Sequence, residues 1–148
     1  MRGDVSKAAE AQAVVAAAIK HFGRLDILVN NSGVYEFAPI EAVTVEHYHK
    51  QSDVNVLGLL LTTQDAVKHL GEGGSIVVNI GSVVSSLTGA VDAIAGVLAK
   101  ELGPKTIRVN AINPGMIETE GVQAAGLIGA DFEKGLVAPN PAGPPRPG

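Results

Sequence analysis

The side chains best placed to do chemistry gather at three points. Asn30-Asn31-Ser32-Gly33, Gly81-Ser82 and Asn113-Pro114-Gly115 each follow a short apolar run. A fourth candidate, Asn55, lies in Asp53-Val54-Asn55-Val56, inside a long helical stretch. Taken singly, these residues have ordinary readings. Ser82 can cap local backbone in its loop, Asn55 can bond across to a strand, and Thr119 can cap a helix. His47 and His49 are two apart, so they do not face each other on a helix. No carboxylate cluster joins them, so no metal site is expected. What singles out the three loop segments is position. In parallel α/β sheets ligands bind beyond the carboxyl ends of the strands.

The elements that must hold those segments can be traced along the chain. Ser6 is a candidate N-cap for a helix to about Phe22, with Val14, Val15, Ala18, Ile19 and Phe22 on one apolar face. Gly23 is the stop. Leu25 to Val29 reads as a buried strand. Thr44 can cap a second helix from Val45 to Leu70. Gly58 falls inside that helix, where glycine costs about 1 kcal/mol against alanine, so a close packing contact is expected there. Ser75 to Ile80 is a second strand, Gly89 to Leu102 a third helix and Thr106 to Ile112 a third strand. Strands alternating with helices imply parallel βαβ units with right-handed crossovers.

Composition bounds the rest. The chain has 148 residues, 46% of them hydrophobic but only 3% aromatic, so its core must be built from Val, Ile, Leu and Ala. A net charge of −4 argues against a nucleic-acid surface. The chain holds no cysteine, which excludes disulfides and thiolate metal sites. The first residues carry no apolar signal segment, and no apolar run is long enough to span a bilayer. A soluble cytoplasmic protein without membrane contact is therefore expected. One domain is expected over residues 1–135. Residues 136–148, with Pro139, Pro141, Pro144, Pro145 and Pro147, read as a proline-rich disordered tail.

Taken together in order and spacing, the motifs resemble those of the short-chain dehydrogenase/reductase family. Asn30-Asn31-Ser32-Gly33 is similar to its Asn-Asn-Ala-Gly motif. Asn55 matches its helix asparagine and Ser82 its catalytic serine position. Pro114-Gly115-Met116-Ile117-Glu118-Thr119 matches its Pro-Gly-x-x-x-Thr loop, and Asp4-Val5 a pair that touches the adenine ring. The stretch from Val91 to Gly115 is closest to glucose dehydrogenases and 3-oxoacyl-carrier-protein reductases. The resemblance implies a partial Rossmann-like, doubly wound parallel sheet and NAD or NADP as cofactor. It implies hydride transfer between nicotinamide and an alcohol or ketone. Ser82 would hydrogen-bond the reacting oxygen, and Asn55 would help hold a relay water. Asp4, Val5, Asn31, Ser32, Gly33, Pro114, Gly115, Ile117 and Thr119 would contact the cofactor.

The same resemblance exposes gaps. The family's proton donor is a tyrosine in Tyr-x-x-x-Lys, whose pKa, near 10 when free, the lysine lowers. This chain has two tyrosines, Tyr35 and Tyr48, with Pro39 and Ser52 four residues on. Leu87-Thr88 resembles the family's loop before the tyrosine, and Gly89-Ala90-Val91-Asp92 resembles its segment after the lysine. The intervening piece is gone. The family's Gly-rich phosphate loop, its N-terminal βαβ unit and its last strand are also absent from this sequence. That leaves the edge at Leu25–Val29 open, which favours association. The chain as it stands is therefore expected to be inactive. Two other readings stand beside this one. The first is a non-catalytic fragment that pairs with itself or a full-length homologue through helices 45–70 and 89–102. The second is a truncated product without function.

Overall fold

The structure is a computed structural model. It describes residues 1–36, 38–71, 73–82 and 88–114, all within one compact unit, Met1–Pro114. Helix α1 (Ala8–Phe22) leads into strand β1 (Ile27–Asn30). Helices α2 (Val45–Ser52) and α3 (Gly58–Ala66) come next, joined by the π-helical turn Asp53–Leu57. Strand β2 (Ser75–Ile80), helix α4 (Thr88–Leu102) and strand β3 (Ile107–Ile112) complete the order. The three strands are parallel in the order β1-β2-β3, with Ile27 opposite Ile76 and Ile76 opposite Arg108. This is the partial Rossmann-like α/β architecture that the alternating pattern implied.

Local signals set the ends of the helices. Gly23 takes φ 75° and its N–H donates to the Ile19 carbonyl, closing α1 as a left-handed cap. Thr44 caps α2, its side chain accepting from the His47 N–H at 3.1 Å. Ser6 does not cap α1. The N-cap is Lys7, with no side-chain bond, and Ser6 instead donates from its amide and hydroxyl to Asp4 Oδ1 at 3.1 and 2.7 Å. The helix begins one residue later than the serine would require, which places Ser6 in the turn that Asp4 closes. The second helix is also less uniform than its periodicity suggests. Its α-helical part stops at Ala66 and continues through turns at Val67 and His69. Leu70 then forms a lone bridge with Leu25, and β1 proper starts at Ile27 and includes Asn30.

Burial alternates along the strands, so one face of the sheet is packed. Val77, Leu102 and Ile107 are its centre, with Leu28, Val67, Leu70, Leu98 and Val109 around them. Helix α1 packs on α3, and α4 packs on β3. At the expected close approach, a methyl on Gly58 would lie 2.7 Å from Val5 Cγ2, so only glycine lets this segment settle against α3. The opposite face carries Ile27, Val29, Ile76, Val78, Ile80 and Ile112. Ile27, Val29 and Ile112 stay 57%, 55% and 50% exposed. Strand β1 is an edge among the described residues.

Candidate active site

The carboxyl end of the sheet is built around Asn30. Its Nδ2 donates to Asn79 Oδ1 across the β1–β2 pair at 2.9 Å and to Thr63 Oγ1 on α3 at 3.0 Å. Its Oδ1 accepts from Thr62 Oγ1 at 2.8 Å. Asn79 is fully buried, and its own Nδ2 has no partner. A half-buried and a buried carboxamide joined across two strands and to a helix fix register and depth at once. Asn30 therefore ties strand to helix.

Asn55 sits in the π turn. Its Oδ1 accepts the Val34 N–H at 2.8 Å and its Nδ2 donates to the Val34 carbonyl at 2.9 Å. Both ends of the carboxamide are thus spent on the loop after β1. The π turn itself shifts the hydrogen-bond register, with Gly58 N–H reaching back to Asp53 O. Such a shift leaves a main-chain carbonyl without its α-helical donor, and π turns recur at functional sites. Gly33 lies against the same side chain: a methyl there would be 3.5 Å from Asn55 Oδ1.

Val5, Ser32 and Asn55 line one cavity of about 150 Å³, together with Asn30, Gly58 and Thr62. Ser82 is half-buried just beyond β2. The turn before it is tied to the next strand by Gly81 N–H donating to Ile112 O at 2.8 Å. Pro114 lies just after β3, and its neighbour Asn113 donates to both carboxylate oxygens of Asp92 on α4, each at 3.0 Å. The described strand-end candidates thus occupy the carboxyl ends of three adjacent strands, and three of the candidates share a cavity. Gly115, Ile117 and Thr119 lie outside the described residues, as does the proline-rich stretch 136–148.

Asp4 stands apart from the others. Hydrogen bonds from the Ser6 hydroxyl and amide, then from Lys7, hold its carboxyl below the ordinary value of 3.8. Its oxygens are committed to its own turn, including Lys7 Nζ at 3.2 Å. His47 and His49 go to different partners: His47 Nε2 meets Glu36 O at 2.9 Å and His49 Nδ1 meets Asp53 Oδ1 at 3.3 Å. Among the described residues no three His, Cys, Asp or Glu side chains gather as a metal site, and no helix is long and apolar enough to cross a membrane.

A dinucleotide places two demands on such a site. The strand-end residues fit the first, a polar surface beyond the sheet. They do not fit the second, a pyrophosphate cradle, because none of the described loops is a Gly-rich turn running directly from strand into helix. The cavity is also smaller than the roughly 300–1,000 Å³ of whole ligand pockets.

A parallel sheet with a polar strand-end row defines a nucleotide-type α/β frame, and similarity to known proteins narrows the class. Residues 1–143 match the family described as enoyl-(acyl carrier protein) reductase. An uncharacterized oxidoreductase of Methylorubrum extorquens is 56% identical over 154 aligned positions, covering 97% of this chain and 62% of that protein. A putative ketoacyl reductase of the granaticin polyketide synthase from Streptomyces violaceoruber is 39% identical, covering 83% of this chain and 55% of the relative. A glucose/ribitol-type short-chain dehydrogenase/reductase from Brucella melitensis superposes with a TM-score of 0.77 at 29% identity, covering 84% of this chain and 55% of that one. A short-chain dehydrogenase from Burkholderia cenocepacia, solved with NADP, gives 0.74 at 32% identity, covering 82% and 54%. The chain belongs to the short-chain dehydrogenase/reductase family. It spans between 54% and 62% of the length of these relatives.

One relative bears on the gap. A hydroxynaphthalene reductase-like protein of Metarhizium robertsii aligns over 165 positions, more than the 148 residues of this chain. That relative therefore carries residues inside the matched span that have no counterpart here.

Proposed function

We propose that this chain is the strand-end frame of an NAD(P)-dependent reductase acting on an alcohol or ketone, and that it lacks the proton donor needed to turn over. The observation that carries the frame is the shared cavity of Val5, Ser32 and Asn55, with Ser82 and Pro114 at the adjoining strand ends. When bound, the nicotinamide supplies or accepts the hydride. Ser82 would hydrogen-bond the reacting oxygen. The π turn at Asn55 would hold a water through its main chain, because the Asn55 side chain is already engaged by Val34. Asn31, Ser32, Gly33, Pro114, Gly115, Ile117 and Thr119 would line the cofactor side. Asp4 would serve there only through oxygens already engaged, Oδ1 by Ser6 and Oδ2 by Lys7.

The sequence holds no Tyr-x-x-x-Lys to give the proton. By resemblance of Leu87-Thr88 and Gly89–Asp92 to the family's flanking segments, the piece with the tyrosine and lysine would be missing between Thr88 and Gly89, and the 165-position alignment supports residues lost inside the chain. Loss of a general acid costs a factor of about 10²–10⁴. A cytoplasmic setting agrees with the lack of cysteine.

The decisive experiment is NADPH fluorescence titration and then a ketone turnover assay. Weak perturbation, reached only at millimolar NADPH because none of the described loops is a pyrophosphate cradle, and no turnover are the expected results. No change at millimolar NADPH would refute the frame, and measurable turnover would refute the missing donor. A second reading, association with a full-length homologue, is favoured by one feature. A groove of about 390 Å³ lies between α3 and α4, lined by Leu57, Leu60, Leu61, Val67, Leu98 and Leu102. Discrete mixed oligomers on a sizing column would support that role.

A further inference from the structure

Asn55 does not hold its loop alone. One helical turn earlier, Gln51 addresses the same segment in the same way. Gln51 Oε1 accepts the Glu36 N–H at 3.4 Å, and its Nε2 donates to the Glu36 carbonyl at 3.1 Å. Each carboxamide therefore bonds both main-chain groups of one loop residue, Asn55 those of Val34 and Gln51 those of Glu36. The spacing explains why this works. Positions four apart lie on one helix face, about 6 Å along the axis. Positions two apart on an extended chain face one way, about 6.6 Å apart. The two repeats are nearly commensurate, so a helix with amides at 51 and 55 can grip a segment at 36 and 34. His47, a further turn back, adds its contact to Glu36 O, and Lys50 pairs with the Glu36 carboxylate.

We propose that Gln51 is a second positioning residue of the site. With Asn55 it forms a two-rung amide clamp on the main chain of residues 34–36, and so sets where Ser32 and Gly33 stand over the end of the sheet. This deepens the reductase reading and rests on it for its functional meaning. The clamp itself is a property of the free chain.

The test is amide hydrogen exchange on the full chain for Gln51→Met, Gln51→Glu, Asn55→Leu and the double variant Gln51→Met/Asn55→Leu. One net hydrogen bond corresponds to roughly a fivefold change in opening. Gln51→Met should speed exchange at Glu36 and Val34 about fivefold or more while amides of β2 and β3 keep their rates. Gln51→Glu keeps the acceptor arm, loses the donor and should fall between. The double variant should fall short of the product of the two single effects, because releasing one rung already loosens the other. Unchanged exchange at 34 and 36, a simple product of effects, or an equal rise in β2 and β3 would each overturn the clamp. NADPH titration of the unsubstituted chain keeps the two ideas apart. Absence of binding there strikes the reductase reading, while the exchange pattern judges the clamp.

Discussion

Replacing Gly58 with alanine sets two known effects against each other at one atom. An alanine inside a helix is favoured over glycine by about 1 kcal/mol. The new methyl would sit 2.7 Å from Val5 Cγ2, 3.3 Å from Val5 Cβ and 3.4 Å from the Val5 main-chain carbon. Turning the valine side chain relieves only the first contact, and a β-branched side chain has few rotamers to turn to. Overpacking of this kind costs typically about 1–3 kcal/mol. With two of the three contacts beyond rotamer relief, the clash outweighs the helix gain, and Gly58→Ala should destabilise the chain by up to about 2 kcal/mol net. Gly96 on α4 is the internal control, since a methyl there meets nothing within 4 Å. Gly96→Ala should stabilise by up to about 1 kcal/mol. Urea unfolding of both variants against the parent measures the two signs. Equal stabilisation by both would refute the close approach of Val5 to the π-kinked helix.

Three other outcomes are expected. Asn30→Leu takes the partner from Asn79 Oδ1 and Thr63 Oγ1, while Thr62 keeps the Gly58 carbonyl, and should cost about 1–3 kcal/mol, read from the same unfolding curves. Lowering the pH should release the turn at Asp4. Its folded pKa lies below the ordinary 3.8, so its contribution is present above that value and is lost as pH falls through the folded pKa. The Ser6 amide shift tracked by NMR should titrate below 3.8, and a midpoint above it would refute the assignment. Ile27→Lys with Val29→Lys should reduce self-association at the open sheet face, measured by sedimentation. Unchanged association would place the contact elsewhere.

Much of the frame was legible because its signals are local. Gly23, Thr44 and the β-branched runs act within a few residues of themselves, and the anomalous Gly58 announced its contact without naming Val5. The strand-end positions of Ser32, Ser82 and Pro114 could be read from the alternation of elements. What stayed hidden depends on pairings across distance. Ser6 is the local exception: Asp4, two residues before it, takes its amide and hydroxyl at Asx-turn spacing. The π turn hardly disturbs helical periodicity, so residues 45–70 read as one regular helix. That Gln51 sits one turn from Asn55 was visible, but its target at Glu36 is set only when the loop folds back. The commitment of the Asn55 side chain to Val34 was hidden for the same reason.

The sheet's register has a kinetic consequence. Ile27 meets Ile76, and Ile76 meets Arg108, so every strand contact closes a long loop and none forms from neighbours in sequence. The β2–β3 closure is the shorter of the two and encloses the buried Val77, Leu102 and Ile107. Loop-closure entropy grows with length, and parallel sheets are slow to assemble for that reason. The β2–α4–β3 unit should therefore protect its amides first in pulse-labelled refolding. β1 would dock last, leaving Ile27 and Val29 as the chain's longest-lived sticky edge while it is being made.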